Sequence, residues 1–354
     1  MQGSTLSRYG SLSYAPGKSY EAQRTSLVTQ FLPPGLSHKM ADFLLSLYST
    51  VAGNIPPPEW HSVHWKDLYF PNPLAPAGGL DKSAKHIKAW WALGAGFIEI
   101  GTITPQAQKK NPGTTLKRDE KTQALWNHLG FPGDGVEIVQ KRLKKWQHFR
   151  STPIFANIGK NRDTKNEEAG QDYLHCISVL YPYVDGFVIN ISSPNTKDLI
   201  ELSRPQKLKA FLQPIQKKLS SFKNRKPFFI KWSPDMDENE FLRSLDVTLE
   251  CGVEGHIICN TSTYRESGSL FPHYGGVSGA PLAKISKKRL SLTQKHLGTE
   301  RKNQLIISVG GVLKPEDVME RLALGANLVQ AYSALVFHGP FFFKKVYSFK
   351  THYG

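Results

Sequence analysis

Short apolar runs alternate with amphipathic segments along most of this 354-residue chain. A run of about four to eight apolar residues bounded by turn residues is typical of a buried strand, whereas apolar positions spaced three and four apart are typical of a helix. The pattern predicts eight strands, at residues 74–77, 97–101, 153–158, 186–191, 228–232, 255–259, 305–309 and 328–331. It predicts helices after them, at residues 84–93, 136–149, 167–180, 206–222, 238–251, 287–297, 315–324 and 341–349.

This succession of β-α units favours one architecture. Eight units within about 280 residues indicate an α/β protein built as a (β/α)8 TIM barrel, more than an open doubly wound sheet. Two connections, residues 104–134 and 262–281, are too long to be plain connectors. We expect them to form loops over a functional site.

The N-terminal part of the chain has a different pattern. Residues 1–25 are rich in Ser, Gly and Tyr, and we expect a flexible tail there. Residues 26–60 show helical spacing in two pieces, separated by a Pro-Pro-Gly break at 33–35. This N-terminal helical unit is either a cap on one end of the barrel or an amphipathic hairpin on a membrane surface. The barrel itself would comprise residues 61–354.

Charge narrows the choice of partner without deciding it. The chain has 45 Lys and Arg against 29 Asp and Glu, a net charge of +16, which favours a phosphate ligand, a nucleic acid or an acidic lipid surface. Its three cysteines are odd in number and lack metal-ligand spacing, so we expect a reducing compartment. No apolar run approaches the length of a membrane-spanning helix.

Polar residues follow nearly every predicted strand. Functional residues of such barrels gather at these strand ends. The glycines after the seventh strand and the residues after the eighth stand where barrel phosphate sites form. Amide and lysine donors without a His, Cys or carboxylate metal cluster favour a planar hydrogen-bonding cofactor and a polar substrate. The main positions are Thr102, Asn157, Asn190, Lys231, Asn260, Gly310, Gly311, Tyr332 and Ser333.

The segment Asn-Ile-Ser-Ser-Pro-Asn-Thr at 190–196 is the densest of these strand ends. Pro194 ends the strand and fixes a turn, so that the polar side chains around it are displayed on a rigid corner. A polar turn that caps the following helix is the alternative interpretation.

Several segments together resemble the dihydroorotate dehydrogenases of the membrane-associated, quinone-dependent class, known as class 2. The resemblance extends over about residues 26–350. The matching segments are 77–82 (AGGLDK), 101–105 (GTITP), 127–131 (NHLGF), 157–161 (NIGKN), 190–196 (NISSPNT), Lys231, Asn260-Thr261, 275–279 (GGVSG), Gly310-Gly311 and Tyr332-Ser333.

The resemblance implies that FMN lies across the barrel mouth, with its phosphate on Gly279, Gly311, Tyr332 and Ser333. Lys231 would face the flavin N1 and C2 carbonyl, where a positive charge stabilises the reduced ring. The alternative for Lys231 is a lysine paired with a carboxylate at a strand end. The implied cofactor-binding residues are Gly78, Gly79, Lys82, Thr102, Asn157, Asn190, Lys231, Cys259, Gly279, Gly311, Tyr332 and Ser333.

The resemblance also implies the substrate site and the base. Ser193 would take the C5 proton of dihydroorotate, with Thr196 and a water as its relay, while Ser192 would be structural. Asn side chains carry both donors and acceptors, which suits a pyrimidine ring. The implied substrate-binding residues are Lys82, Asn127, Phe131, Asn190, Asn195, Asn260 and Thr261. No metal site is expected.

For the N-terminal unit, the resemblance implies a tunnel for ubiquinone or menaquinone, with His38 and Arg118 near it. We expect a monomer that works in pyrimidine biosynthesis and does not bind nucleic acid. It would lie as a peripheral protein on the cytoplasmic face of the inner membrane, or on the mitochondrial inner membrane of a eukaryote. The chain departs from the family pattern at Pro132, Lys197-Asp198, Trp232 and Cys259, which concerns loop closure and flavin contacts.

Three other functions would use some of the same features. A dihydrouridine synthase would suit the positive charge, but that family has a catalytic Cys where this chain has Ser193. An aldolase that forms a Schiff base on Lys231 would be colourless. A non-enzymatic basic binder of membranes or nucleic acid would leave the polar strand ends without a purpose.

Overall fold

The computed structural model describes residues 34–53, 55–148 and 150–353. The predicted tail at 1–25 and the first helical piece before residue 33 lie outside the described residues, as does the side chain of His38. The strands are β1 (Val63–Trp65), β2 (Leu68–Phe70), β3 (Leu74–Pro76), β4 (Ile98–Ile103), β5 (Leu116–Asp119), β6 (Ala124–Asn127), β7 (Ile154–Ile158), β8 (Gly186–Asn190), β9 (Phe228–Lys231), β10 (Gly255–Ile258), β11 (Gly276–Gly279), β12 (Leu305–Val309) and β13 (Leu328–Ala331). The α-helices are α1 (Pro34–Val51), α2 (Ile87–Leu93), α3 (Val136–Lys144), α4 (Ala169–Leu180), α5 (Pro205–Ser220), α6 (Glu238–Glu250), α7 (Ala280–Leu297), α8 (Pro315–Ala323), α9 (Ser333–His338) and α10 (Phe342–Tyr353).

The eight predicted strands form one parallel sheet in the order β3-β13-β12-β10-β9-β8-β7-β4. Its two edge strands meet, because the Gly96 N–H donates to the Leu74 carbonyl at 2.8 Å and the Gly101 N–H donates to the Asp81 carbonyl at 2.9 Å. The sheet is therefore nearly closed, and the predicted (β/α)8 barrel is confirmed.

Two helices begin at places the apolar spacing did not indicate. The helix predicted at 287–297 begins at Ala280, since Pro281 stands in its first turn, where its missing N–H removes no hydrogen bond. The helix predicted from residue 84 begins at Ile87, because Ala84 is left-handed with φ of 55°. The Asp81 carboxylate accepts the N–H groups of Lys85 and His86 at 2.8 and 2.9 Å and stabilises this start.

Aromatic rings fill the end of the barrel where the strands begin. Phe97 lies between Phe70 and Phe155, at 5.7 Å from each ring centre, and Phe155 lies 4.9 Å from Phe229. The antiparallel pair β1-β2, which the sequence pattern did not predict, brings Phe70 to this cluster. Because this end is packed, polar side chains can meet only at the opposite end.

The two long connections do not remain loops. They contain β5, β6 and β11, which form a separate three-stranded antiparallel sheet. In it Gly276 pairs with Asn127 and Gly279 pairs with Ala124, and a single bridge joins Ser262 to Val277. The loops predicted over the site therefore contain a sheet that the sequence pattern did not indicate, since β6 and β11 lie about 150 residues apart, beyond the reach of local periodicity.

Helix α1 packs against α2 and β5 beside the barrel mouth. It is joined to the barrel by Asp42, whose Oδ1 lies 2.6 Å from Nε2 of the buried His86. Tyr48 turns toward the barrel and contacts Phe341 edge to face. The opposite side of α1 is open, with exposed apolar side chains at Leu36, Phe43, Leu44, Leu47 and Val51. Within the ranges described, no helix is both long enough and apolar enough to cross a membrane.

Candidate active site

Two adjoining cavities lie at the carboxyl ends of the barrel strands. The first encloses about 610 Å³ of space between protein atoms and the second about 410 Å³, open mouths included. Both are lined by Gly78, Lys231, Asn260, Thr261 and Tyr332, so they form one continuous cleft.

The cleft brings together nearly all of the predicted site residues. The first cavity is also lined by Gly79, Lys82, Thr102, Asn127, Phe131, Asn157, Asn190, Ser193 and Asn195. The second is also lined by Cys259, Gly311 and Ser333. Of the predicted cofactor-binding and substrate-binding residues, Gly279 lines neither cavity. It lies just before α7, and its neighbour Ser278 lines the second cavity.

A buried carboxylate that the sequence analysis missed lies below the first cavity. Glu99 on β4 is fully buried, and its Oε1 is 3.0 Å from Lys231 Nζ and accepts from Asn157 Nδ2 at 2.6 Å. Its Oε2 accepts from Gln330 Nε2 at 2.6 Å. Lys231 is thus paired with a carboxylate, as its alternative interpretation required. A Cβ at Gly78 would lie 2.0 Å from Glu99 Oε1, so only glycine fits there. The sequence feature that could have revealed this residue is the single Glu inside the apolar run 97–101, because a buried carboxylate needs a partner.

Amide side chains form a second layer above this carboxylate. Asn190 Nδ2 donates to Thr102 Oγ1 at 2.9 Å and to Asn157 Oδ1 at 3.2 Å. Asn260 Nδ2 in turn donates to Asn190 Oδ1 at 3.4 Å. These bonds hold side chains from four strand ends in fixed orientations at the floor of the cavity.

The wall of the first cavity carries an unsatisfied acceptor. Asn195 Nδ2 donates to Asn127 Oδ1 at 2.6 Å. Asn195 Oδ1 is buried and has no hydrogen-bond partner in the described protein. A buried amide oxygen without a donor is unfavourable, so this position suits a ligand N–H group.

Two neighbouring serines lie in different environments. Ser193 lines the first cavity, and its Oγ accepts the Asn195 N–H at 3.3 Å. Ser192 turns away from the cavity, where its Oγ accepts from Asn260 Nδ2 at 3.1 Å and donates to Asn190 Oδ1 at 3.4 Å. Of the two serine hydroxyls, only that of Ser193 therefore lies at the cavity.

Burial changes the proton affinity of three groups in the cleft. It lowers the pKa of Lys82 to about 8, although Asp81 and Asp42 oppose the shift. The Lys82 ammonium donates to the Gly79 carbonyl at 2.6 Å. Burial raises the pKa of Cys259 to about 12 and that of Tyr332 to about 12, so both are neutral near pH 7. Cys259 is therefore a poor nucleophile.

The second cavity has the features of an anion site. Gly310 and Gly311 form a turn with φ of 103° and 72°, and a Cβ on Gly311 would lie 2.3 Å from Ala283 Cα. Helix α7, 18 residues long, begins at Ala280 next to this cavity, with its positive end toward it. Backbone N–H groups at such a turn and helix start bind phosphate.

The departures from the family pattern have different locations. Pro132 lines the first cavity and Cys259 the second. Asp198 is left-handed with φ of 53°, and its carbonyl accepts from Asn166 Nδ2 at 2.7 Å. Trp232 packs in the layer between strands and helices and lines neither cavity, so its bulk does not narrow the site.

Known sequences resemble this chain over most of its length. The family model described as dihydroorotate dehydrogenase matches residues 61–349. A Marinobacter nauticus protein named dihydroorotate dehydrogenase (quinone) is 38% identical over 80% of this chain and 84% of that one. A protein of the same name from Thermus thermophilus is 40% identical over 77% of each chain.

Solved structures resemble it as well. A crystal structure of DHODH from Eimeria tenella in complex with ferulenol has a TM-score of 0.81 and 31% identity, and the match covers 90% of both chains. The ligand-free form has a TM-score of 0.82 and 31% identity, with 89% of this chain and 93% of that chain covered.

We predict that Glu99→Ala lowers the free energy of unfolding by about 3–5 kcal/mol, because it leaves the Lys231 ammonium buried without its carboxylate. Denaturant titration measures this loss. The double variant Glu99→Ala/Lys231→Met should recover part of it, since no unpaired charge remains.

The control is Glu250→Ala, which removes a carboxylate paired with Lys209 at 2.8 Å on the exposed surface. It should cost much less, because water solvates both groups. A Glu99→Ala loss no larger than that of Glu250→Ala would show that the buried pair does not stabilise the barrel.

Proposed function

This chain belongs to the dihydroorotate dehydrogenase family and is a quinone-dependent oxidoreductase, and we propose that it oxidises dihydroorotate to orotate with FMN as hydride acceptor, in pyrimidine biosynthesis. A membrane quinone would be the final electron acceptor. The single observation that carries the proposal is the Ser193 hydroxyl facing a cavity with amide walls and a lysine-carboxylate floor.

The residues present fit FMN. The second cavity offers a glycine turn and a helix start for a phosphate, and the first has side-chain donors and acceptors for a planar ring. We assign the phosphate to Gly279, Gly311, Tyr332 and Ser333, and the ring to Gly78, Gly79, Lys82, Thr102, Asn157, Asn190, Lys231 and Cys259.

Bound FMN would supply the acceptor for the hydride. The protein would supply the substrate site and the proton acceptor, with Lys82 for the substrate carboxylate and Asn195 Oδ1 for a ring N–H. We assign Asn127, Phe131, Asn190, Asn260 and Thr261 to the same site. Ser193 Oγ, on a buried side chain that lines the first cavity, would accept the C5 proton while its own hydroxyl proton passes to the relay of Thr196 and a water.

We predict that Ser193→Ala retains flavin and binds orotate but slows reduction by dihydroorotate about 10²- to 10⁴-fold, the usual contribution of a positioned base. The measurement is anaerobic mixing with dihydroorotate while the flavin absorbance bleaches. Ser192→Ala is the matched control and should slow bleaching much less, because Ser192 does not line the cavity. Equal losses in the two variants would refute the assignment of the base, and no bleaching of the unmodified protein would refute the reaction.

We predict that kcat/KM for dihydroorotate falls as the pH rises above about 8, because Lys82 then loses the proton that pairs with the substrate carboxylate. The sign follows from burial, which lowers the pKa of a cation, so the binding form is present below this pH and lost above it. The measurement is the initial rate at low substrate across this range.

Lys82→Met should lower kcat/KM and abolish the decline, whereas Lys85→Met, which removes a half-exposed neighbour, should leave the decline in place. A flat profile in the unmodified enzyme, or an unchanged decline in Lys82→Met, would contradict the assignment.

We further propose that α1, as part of the unit 26–60, contacts the quinone and an anionic membrane surface. Its exposed residues Phe43, Leu44 and Leu47 form an apolar surface beside β5. Arg118 is a residue of β5, and its Nε lies 2.6 Å from a carboxylate oxygen of Glu120. An amphipathic helix of this kind lies on membrane surfaces, and a net charge of +16 would favour anionic lipid.

We predict that Leu44→Lys raises the apparent KM for quinone and weakens vesicle binding but leaves bleaching by dihydroorotate unchanged. Burying such a side chain is worth about 1.5–3 kcal/mol, which a lysine forfeits. Quinone-dependent reoxidation and vesicle flotation are the measurements. Ser46→Lys adds the same charge at an exposed position about 200° around the helix and should change both less. Normal quinone use by Leu44→Lys would refute this role of α1.

A further inference from the structure

A buried arginine stands behind the glycine turn of the second cavity. Arg321 on α8 has 1% of its surface exposed, and it takes part in none of the ion pairs between described residues. Its Nη1 donates to Ser308 Oγ at 3.1 Å, and its Nη2 donates to the carbonyls of Gly310 at 2.7 Å and Ala283 at 3.3 Å. A whole guanidinium charge is therefore buried against backbone oxygens of the turn and of α7.

These contacts fix the orientation of one peptide unit. The Gly310 carbonyl accepts from Arg321 Nη2 and also from Ser286 Oγ, each at 2.7 Å. In a trans peptide the N–H points opposite to the C=O, so the following N–H, that of Gly311, is directed away from Arg321. Gly311 lines the second cavity, and in the described chain no protein group accepts its N–H.

Such an arrangement calls for an anion. A buried cation with no carboxylate at ion-pair distance is unfavourable, and burial lowers the pKa of Arg321, although Asp317 and Glu320 oppose the shift. A doubly charged phosphate in the second cavity would offset the positive charge of Arg321 through the dipole of the Gly310-Gly311 peptide. A neutral ligand would gain no such electrostatic stabilisation.

We propose that Arg321 is a positioning residue for the phosphate of the flavin: together with Ser286 it holds the Gly310 carbonyl so that the Gly311 N–H faces the phosphate. The inference rests on the proposed function, since it takes FMN as the ligand. It adds that selectivity for FMN over riboflavin, which lacks the phosphate, is set by a residue that does not touch the cavity.

The experiment titrates the flavin-stripped full-length chain with FMN and with riboflavin, following flavin fluorescence. Arg321→Met should weaken FMN binding about tenfold or more, as expected for loss of a charged hydrogen-bond donor, while riboflavin binding changes little. The ratio of the two affinities is the readout, because a general loss of fold would weaken both ligands alike. Arg321→Lys retains the charge and should restore part of the ratio.

Two further variants test the arrangement separately from the charge. Ser286→Ala removes the second hydrogen bond to Gly310 with little change in volume, and it should lower the ratio by a smaller factor. Arg289→Met is the matched control. Arg289 is also buried, but it donates to the carbonyls of Pro234 and Met236, away from the glycine turn, and its loss should leave the ratio unchanged.

The possible results are distinct. A ratio that falls in Arg321→Met and Ser286→Ala but not in Arg289→Met would support the proposal. An unchanged ratio in both Arg321→Met and Ser286→Ala, with FMN still preferred by the unmodified chain, would overturn the role of Arg321 and leave the proposed function intact. An unmodified chain that binds neither flavin, or both equally, would overturn the FMN site as well.

Discussion

The site depends on one buried carboxylate. Glu99 lies at the centre of the barrel, where its two oxygens bind Lys231, Asn157 and Gln330. These partners belong to β9, β7 and β13, so a single side chain of β4 connects four strands of the sheet. A charge can remain there without water only because every contact is an ion pair or a hydrogen bond. The same contacts orient the lysine and the amide that form the floor of the cleft.

The two ends of the barrel have complementary compositions. The end where the strands begin is filled with rings such as Phe97, Phe155 and Phe229, which resist compression and hold the strands in register. The other end carries amides that bind one another around an open space. Because the first end is rigid, the second can keep polar groups in place before a ligand binds.

The small sheet of β5, β6 and β11 completes the first cavity. It brings Asn127 from one long connection beside Gly276 from the other. A Cβ on Gly276 would lie 1.9 Å from Thr261 Oγ1, so this close approach requires glycine.

The cleft has opposite buried charges behind its two halves, with Glu99 below the first cavity and Arg321 behind the second.

The sequence alone determined the succession of strands and helices, the barrel, and the polar residues that end each strand. These features depend on neighbours a few positions apart, which the periodicity records. It also indicated the segment with Ser192 and Ser193 as the densest polar strand end, and family motifs pointed to one of the two. Only the tertiary structure decided which of them faces the cleft, that Glu99 pairs with Lys231, that the two long connections form a sheet, and that Arg321 holds the Gly310 carbonyl. These features depend on contacts between residues that lie from 11 to 149 positions apart, which follow from the closed barrel and leave no local pattern in the chain.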